Sequence, residues 1–216
     1  MSVRRMGAEN SPTRSVLLDL AEQLMISEGY AAVGVRRVAR EAGVTPALIH
    51  YYFRTLDDLF LAMLGRNAER ELESLREIAA SARPLHALWE RGSHRDGAAV
   101  TIEFVALANH RKTIRGEIAA HARRFREAEV KIIAESLAGR RADVPPVALS
   151  ALLSYVSRTL VLEEALGLTI GHAETLALVH RYLDSVEPGG HDGTRRRPAK
   201  SVPTAAYGHS THEPSE

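Results

Sequence analysis

The 216-residue chain is 45% hydrophobic and 25% charged, which is enough apolar material for a substantial core and too much for a disordered protein. It contains no cysteine, so a disulfide framework, a thiolate metal site and a cysteine nucleophile are all excluded. Formal net charge is only +1, so any claim of nucleic-acid binding has to rest on where the charges sit.

The opening MSVRRMGAEN lacks the apolar run of a signal peptide. No later stretch approaches the roughly 18 to 20 apolar residues of a membrane-spanning helix. The expectation is a cytoplasmic protein with no membrane partner. Ala, Leu, Glu and Arg recur while alternating Val, Ile and Thr do not, so the pattern predicts an all-α fold.

The first helix should start at Ser11 as cap, with Pro12 at its first position, and stop at Gly29. Its apolar stripe is Val16, Leu17, Leu20, Ala21, Leu24 and Met25. A short second helix spans about Val35 to Ala42, with Gly34 at the cap and Gly43 just past the end, where a left-handed residue is wanted. Thr45 caps a third helix that opens on Pro46 and closes at Phe53. A long helix, Leu56 to about Ser81, ends before Pro84. Further helical patterns follow at about 85 to 92, 97 to 109, 112 to 139, 146 to 167 and 172 to 186. From residue 188 onward Pro, Gly, His, Ser and Thr surround the basic cluster Arg195 to Arg197, a composition that predicts a disordered tail over 188–216.

The informative stretch runs from Val35 to Phe53: helix, glycine turn, helix. In a helix-turn-helix the two helices cross closely, which asks for a small residue at the contact, a glycine in the turn and branched apolar residues in the corner. Ala39, Gly43, Val44 and Ile49 meet those needs. With Ile49 inward, helical spacing takes Thr45, Tyr52 and Phe53 to its side and leaves Ala47, Leu48, His50 and Tyr51 outward. Ala47 and Leu48 can pack on thymine methyls, and His50 can bond a base edge or a phosphate. Thr45, Tyr51 and Tyr52 suit phosphate contacts that set register. His50-Tyr51-Tyr52-Phe53 alone would also describe an aromatic core cluster, and Gly43 alone a helix stop. The whole arrangement, with an amphipathic helix before it and Leu-Asp-Asp-Leu-Phe opening another after it, favours the reader.

Residues 11 to 64 resemble the N-terminal domain of the TetR/AcrR family of one-component regulators. Gly29-Tyr30, then Val35 to Ala39, then Gly43 to Phe53 carry the likeness. Three positions depart from the family pattern: Gly34 where Thr or Ser is usual, His50 where Tyr is common, and Leu56 in place of a phosphate-gripping Lys. Arg4, Arg5, Arg14, Arg36, Arg37 and Arg54 could restore backbone affinity if they face the duplex. The resulting DNA-binding set is Arg14, Arg36, Thr45, Pro46, Ala47, Leu48, His50, Tyr51 and Tyr52.

The resemblance implies three segments: a helix-turn-helix domain over 11–60, a helical regulatory and dimerisation domain over 61–187, and the tail. It implies double-stranded operator DNA as partner, probing two sites about 34 to 36 Å apart by means of a homodimer. The dimer would pair through residues 146–186, where Leu149, Leu152, Leu153, Tyr155, Val156, Leu160, Leu162 and Leu166 occupy more than one helical face. It also implies a cavity between Pro84 and Arg141 for an unidentified apolar or amphipathic effector. Candidate wall residues are Trp89, Ile102, Phe104, Val105, Leu107, Ala108, Ile118, His121 and Phe125, with Tyr155 from the next helix. Ten histidines raise a metal reading, but none falls in a ligand-spaced pair beside a carboxylate, so no metal or cofactor is expected. No phosphate loop or nucleophile elbow is recognisable, which points away from an enzyme. The alternatives are a regulator answering to a protein partner or to nothing small, and a helical enzyme or binding module.

Overall fold

The computed structural model describes residues 11–140 and 143–188; Arg4, Arg5 and nearly all of the expected disordered tail lie outside the described residues. Among the described residues every regular element is helical, apart from turns and a single 3₁₀ turn. The α-helices in order are α1 Pro12–Glu28, α2 Val35–Glu41, α3 Pro46–Tyr52, α4 Leu56–Ala79 and α5 Pro84–Gly92. They are followed by α6 Arg95–His110, α7 Lys112–Ser136, α8 Pro146–Ala165 and α9 His172–Val186. The 3₁₀ turn, Tyr30–Ala32, sits between α1 and α2.

Local chemistry sets most of the boundaries. Four helices, α1, α3, α5 and α8, begin with proline at the first turn, where its missing N–H is no loss. α4 begins with a reciprocal capping box: Asp58 N–H donates to Thr55 Oγ1 at 3.0 Å and Thr55 N–H donates to Asp58 Oδ2 at 2.9 Å. Ser11 and Thr45 occupy cap positions as expected, but neither side chain makes a capping hydrogen bond. The Ser11 hydroxyl pairs instead with Tyr52 Oη at 2.9 Å, tying the start of α1 to the end of α3.

Two hydrophobic clusters hold the chain. The first joins α1, α2 and α3 to the start of α4, and continues into α6 through Val100, Phe104 and Leu107 and into α7 at Ile114. The second gathers Leu75 and Ile78 of α4, Leu85 and Trp89 of α5, Ile133 of α7, Leu149 and Leu153 of α8, and Leu183 of α9. Each such side chain contributes about 1.5 to 3 kcal/mol when fully buried. On α1 the stripe differs by one position from expectation: Val16 is exposed and Leu18 is buried. A window 100° wide on a helix touched from several sides does not resolve adjacent positions.

Polar ties reinforce the joint between the first three helices and the rest. Tyr30 N–H donates to Glu103 Oε2 of α6 at 2.7 Å. Asp57, in the first turn of α4, is paired with Arg111 and accepts a hydrogen bond from Thr113 at 2.9 Å. Arg66 of α4 bridges Asp19 and Glu22 of α1 at 2.6 and 2.8 Å. At the opposite end, buried Glu187 accepts from the N–H groups of Leu85 and His86, satisfying the otherwise open start of α5.

Candidate DNA-reading surface and internal cavity

The turn between α2 and α3 is built on Gly43 at φ +64°, the left-handed conformation that a side chain resists. Its neighbours close the turn through backbone bonds, Val44 N–H to Ala39 O at 2.9 Å and Gly43 N–H to Arg40 O at 3.2 Å. Val38, Ala39, Ile49 and Phe53 are all buried beneath it, so the crossing of α2 on α3 is fixed by the first cluster.

This geometry leaves one face of α3 open. Pro46, Ala47, His50 and Tyr51 are exposed, and Leu48 and Tyr52 are half-buried. Thr45, expected on the inward side, is exposed, because it precedes the helix and is not bound by helical spacing. His50 Nδ1 lies 3.3 Å from Arg54 O, which orients the imidazole along the helix. The rings of Tyr51 and Tyr52 meet edge to face with centroids 5.1 Å apart. Arg36 is exposed on α2, and the Arg14 guanidinium lies 5.3 Å from the centre of the Phe53 ring. Arg37 is committed elsewhere, to Glu28 at 2.7 Å and Glu41 at 3.0 Å.

Behind this surface, α4, α5, α6, α7 and α8 enclose a partly open cavity of about 200 Å³. Phe104, His121 and Phe125 line it, together with Val105 and Ile118. Ile102 and Ala108 do not line it, and three larger candidate wall residues lie elsewhere. Trp89 is buried in the second cluster and edge-on to His180 at 6.4 Å, Leu107 is fully buried in the first cluster, and Tyr155 is 61% exposed on the outer face of α8. All three are apolar-stripe positions, where helical periodicity does not tell core from cavity wall.

The charged lining carries no signal of a cavity in its helical spacing. Arg91, Arg126 and Arg158 face the space, and Leu64, Asn67 and Glu71 extend α4 along it. Arg158 alone is conspicuous, being the one charged residue between Val147 and Leu162. Glu71 accepts a 2.6 Å bond from His121. Buried Glu129 accepts from Ser150 at 2.8 Å and Ser154 at 3.4 Å, while Arg91 and Arg126 stand 3.9 and 3.8 Å from its oxygens. Burial pushes the Glu129 carboxyl above its ordinary range, against the Ser150 hydrogen bond and the pull of the arginines. Burial likewise holds the Arg91 guanidinium below its ordinary range, and repulsion from Arg158 adds to it, opposed by Glu71 and Glu129. A small cavity adjoins, about 40 Å³, and shares Arg91, Phe125 and Arg158 with the first. Gly92 allows α5 to approach α8 there, since a Cβ would meet Ser157 Oγ at 2.7 Å.

The far side of α8 and α9 is an unpartnered apolar surface. Leu152, Leu162, Leu166, Leu176 and Leu178 are exposed, and Ile170 is 97% exposed. Among the described residues no helix is long and apolar enough to cross a membrane, and no group of three or more His, Asp or Glu could hold a metal ion.

Residues 17–63 match the model of the bacterial regulatory proteins of the tetR family. The HTH-type transcriptional regulator BetI of Brucella suis biovar 1 is 30% identical over 183 residues, covering 79% of this chain and 89% of that protein. BetI of Rhizobium meliloti is 28% identical over 122 residues, which span 52% of this chain and 60% of that one. Among solved structures, a transcriptional regulator from Saccharomonospora viridis in complex with choline superimposes with a TM-score of 0.64 at 23% identity, covering 79% of this chain and 93% of its own.

Proposed function

The chain belongs to the TetR family and is a helix-turn-helix transcriptional regulator, and we propose that it is a cytoplasmic repressor that releases its operator when a small effector enters the cavity between α4 and α8. The observation that carries the DNA half of this reading is the exposed face of α3, held rigid by a buried Ile49 and Phe53. Pro46, Ala47, Leu48 and His50 enter the major groove, with small residues leading so that the backbone can approach the base edges. Thr45, Tyr51, Tyr52, Arg14 and Arg36 contact phosphates and set register.

Residues 11–60 are the reader and residues 61–187 the sensor and dimerisation unit. A second copy pairs through residues 146–186, covering Leu152, Leu162, Leu176 and Leu178, whose exposure on an isolated chain is otherwise costly. The sensor reaches the reader through α4, which begins beside α3 and lines the cavity with Leu64, Asn67 and Glu71. α6 runs parallel to that route, since Phe104 lines the cavity and also packs in the cluster that holds α1 to α3. An effector that binds the released conformation better by a typical coupling of about 1 to 3 kcal/mol lowers operator affinity roughly 5- to 150-fold.

Selection of duplexes from a random pool by the purified protein tests the reading. The expected outcome is enrichment of a two-fold related site whose half-sites lie about one helical turn apart. Failure of any duplex to enrich would refute it.

A further inference from the structure

The cavity's charge says what kind of effector fits it. Three guanidinium groups, those of Arg91, Arg126 and Arg158, line the larger cavity with Glu71, and Glu129 lines the small cavity that adjoins it. The two carboxylates offset them only in part: Glu129 makes long ion pairs with Arg91 and Arg126, and Arg158 has none among the described residues. Glu71 is bonded to His121, and Glu129 is satisfied by serine hydroxyls while both nearby arginines stay beyond hydrogen-bond distance. Among the described residues no carboxylate lies within ion-pair range of Arg158, whose Nε donates to Ser154 O at 3.1 Å and whose terminal nitrogens remain open. Arg91 Nε is buried without a partner. Both guanidiniums are half-buried and short of partners, and a bidentate oxyanion is the group that matches a guanidinium fork.

The same arrangement argues against a cation. Quaternary ammonium ligands are held on open aromatic faces. The two phenyl rings on this cavity belong to Phe104 and Phe125; the Arg91 guanidinium already covers Phe125 at 4.4 Å, and Phe104 is packed into the first cluster. Leu64, Val105 and Ile118 give the wall an apolar part, beside the polar Asn67 and Thr101. An apolar cavity of about 150 Å³ holds a benzene ring, so roughly 200 Å³ suits a ring or short branched chain bearing one acidic group.

We infer that the effector is a small amphipathic carboxylate, its oxyanion seated on Arg91 and Arg158 and its apolar body against Phe104, Val105 and Ile118. This rests on the cavity being the effector site, and the test separates the two ideas. Phenylacetate, the isosteric neutral phenylacetamide and choline are each titrated into the full-length protein, by thermal shift and by release from the selected duplex. Phenylacetate is expected to raise the melting temperature and weaken DNA binding, with the amide and choline at least tenfold weaker. Arg158→Gln and, separately, Arg91→Gln should each weaken phenylacetate tenfold or more in variants whose helical circular dichroism matches the native protein. Equal or tighter binding of the amide or of choline, or undiminished phenylacetate binding by a folded Arg158→Gln protein, would overturn the carboxylate and leave the cavity as an effector site. No response to any of the three compounds at millimolar concentration would overturn both.

Discussion

Phe104 belongs at once to the cluster under the helix-turn-helix and to the cavity wall, and it is 4% exposed. Replacing it with alanine removes a whole ring from that joint. Core Phe→Ala changes cost about 3 to 5 kcal/mol, the larger losses arising where the void cannot collapse. One side of this ring already faces open space, so part of the void merges with an existing cavity and the low end, about 3 kcal/mol, is expected. With a urea dependence of about 2 kcal/mol per molar, the unfolding midpoint should fall by about 1.5 M. Trp89, the single tryptophan, sits in the other cluster and reports its unfolding by fluorescence, while circular dichroism reports all the helices. At fixed protein concentration, since dimerisation shifts apparent stability, both signals should move together. A loss under about 1 kcal/mol, or a shift in one signal only, would refute the claim that the ring couples the DNA-reading helices to the sensor.

Three further outcomes follow from particular contacts. Leu152→Glu with Leu162→Glu should convert a dimer into a folded monomer in sedimentation, because both side chains are exposed on the chain itself and lie on the face proposed to pair; a native protein that already sediments as a monomer at micromolar concentration contradicts this. Thr55→Ala removes one half of the α4 capping box and should cost about 1 kcal/mol in denaturant unfolding, with α4 still formed. Glu129 faces Arg91, Arg126, Arg158 and Ser150, yet burial dominates and raises its carboxyl. Its stabilising contribution is therefore present below the ordinary glutamate value and lost as pH rises through the folded one, so the melting-temperature advantage of native over Glu129→Gln should shrink from acid toward neutral pH; a constant gap would show that Glu129 does not titrate in that window.

The helix order was legible because its signals are local. Proline at Pro12, Pro46, Pro84 and Pro146 and glycine at Gly29 and Gly43 mark ends through backbone conformation alone, and the observed helix boundaries fall within a few residues of those marks. The α2–α3 corner was legible for the same reason, since Ala39, Gly43, Val44 and Ile49 lie within 11 consecutive residues. The cavity was legible only in part. Phe104, His121 and Phe125 line it, while Trp89 and Leu107 sit on equivalent stripes and pack in core, a difference made by where neighbouring helices stop rather than by the residues themselves. The arginines escaped because periodicity reads a cation on a helix as solvated; only the isolation of Arg158 in the apolar α8 marked it. On α8, Leu149 and Leu153 turn into the chain and Leu152 and Leu162 away from it, a division that depends on the packing of α5 and α7.

The central claim, that the exposed face of α3 reads DNA, is tested most directly by titrating the selected duplex with native, His50→Ala and Tyr51→Ala proteins across a range of salt concentrations. Both side chains are exposed, so neither change should alter folding. The account predicts that His50→Ala loses about 1 to 3 kcal/mol of affinity and relaxes preference at one base position, while Tyr51→Ala weakens all sequences alike. Native affinity, base preference and salt slope retained by both variants would contradict it and assign the reading of DNA to another surface.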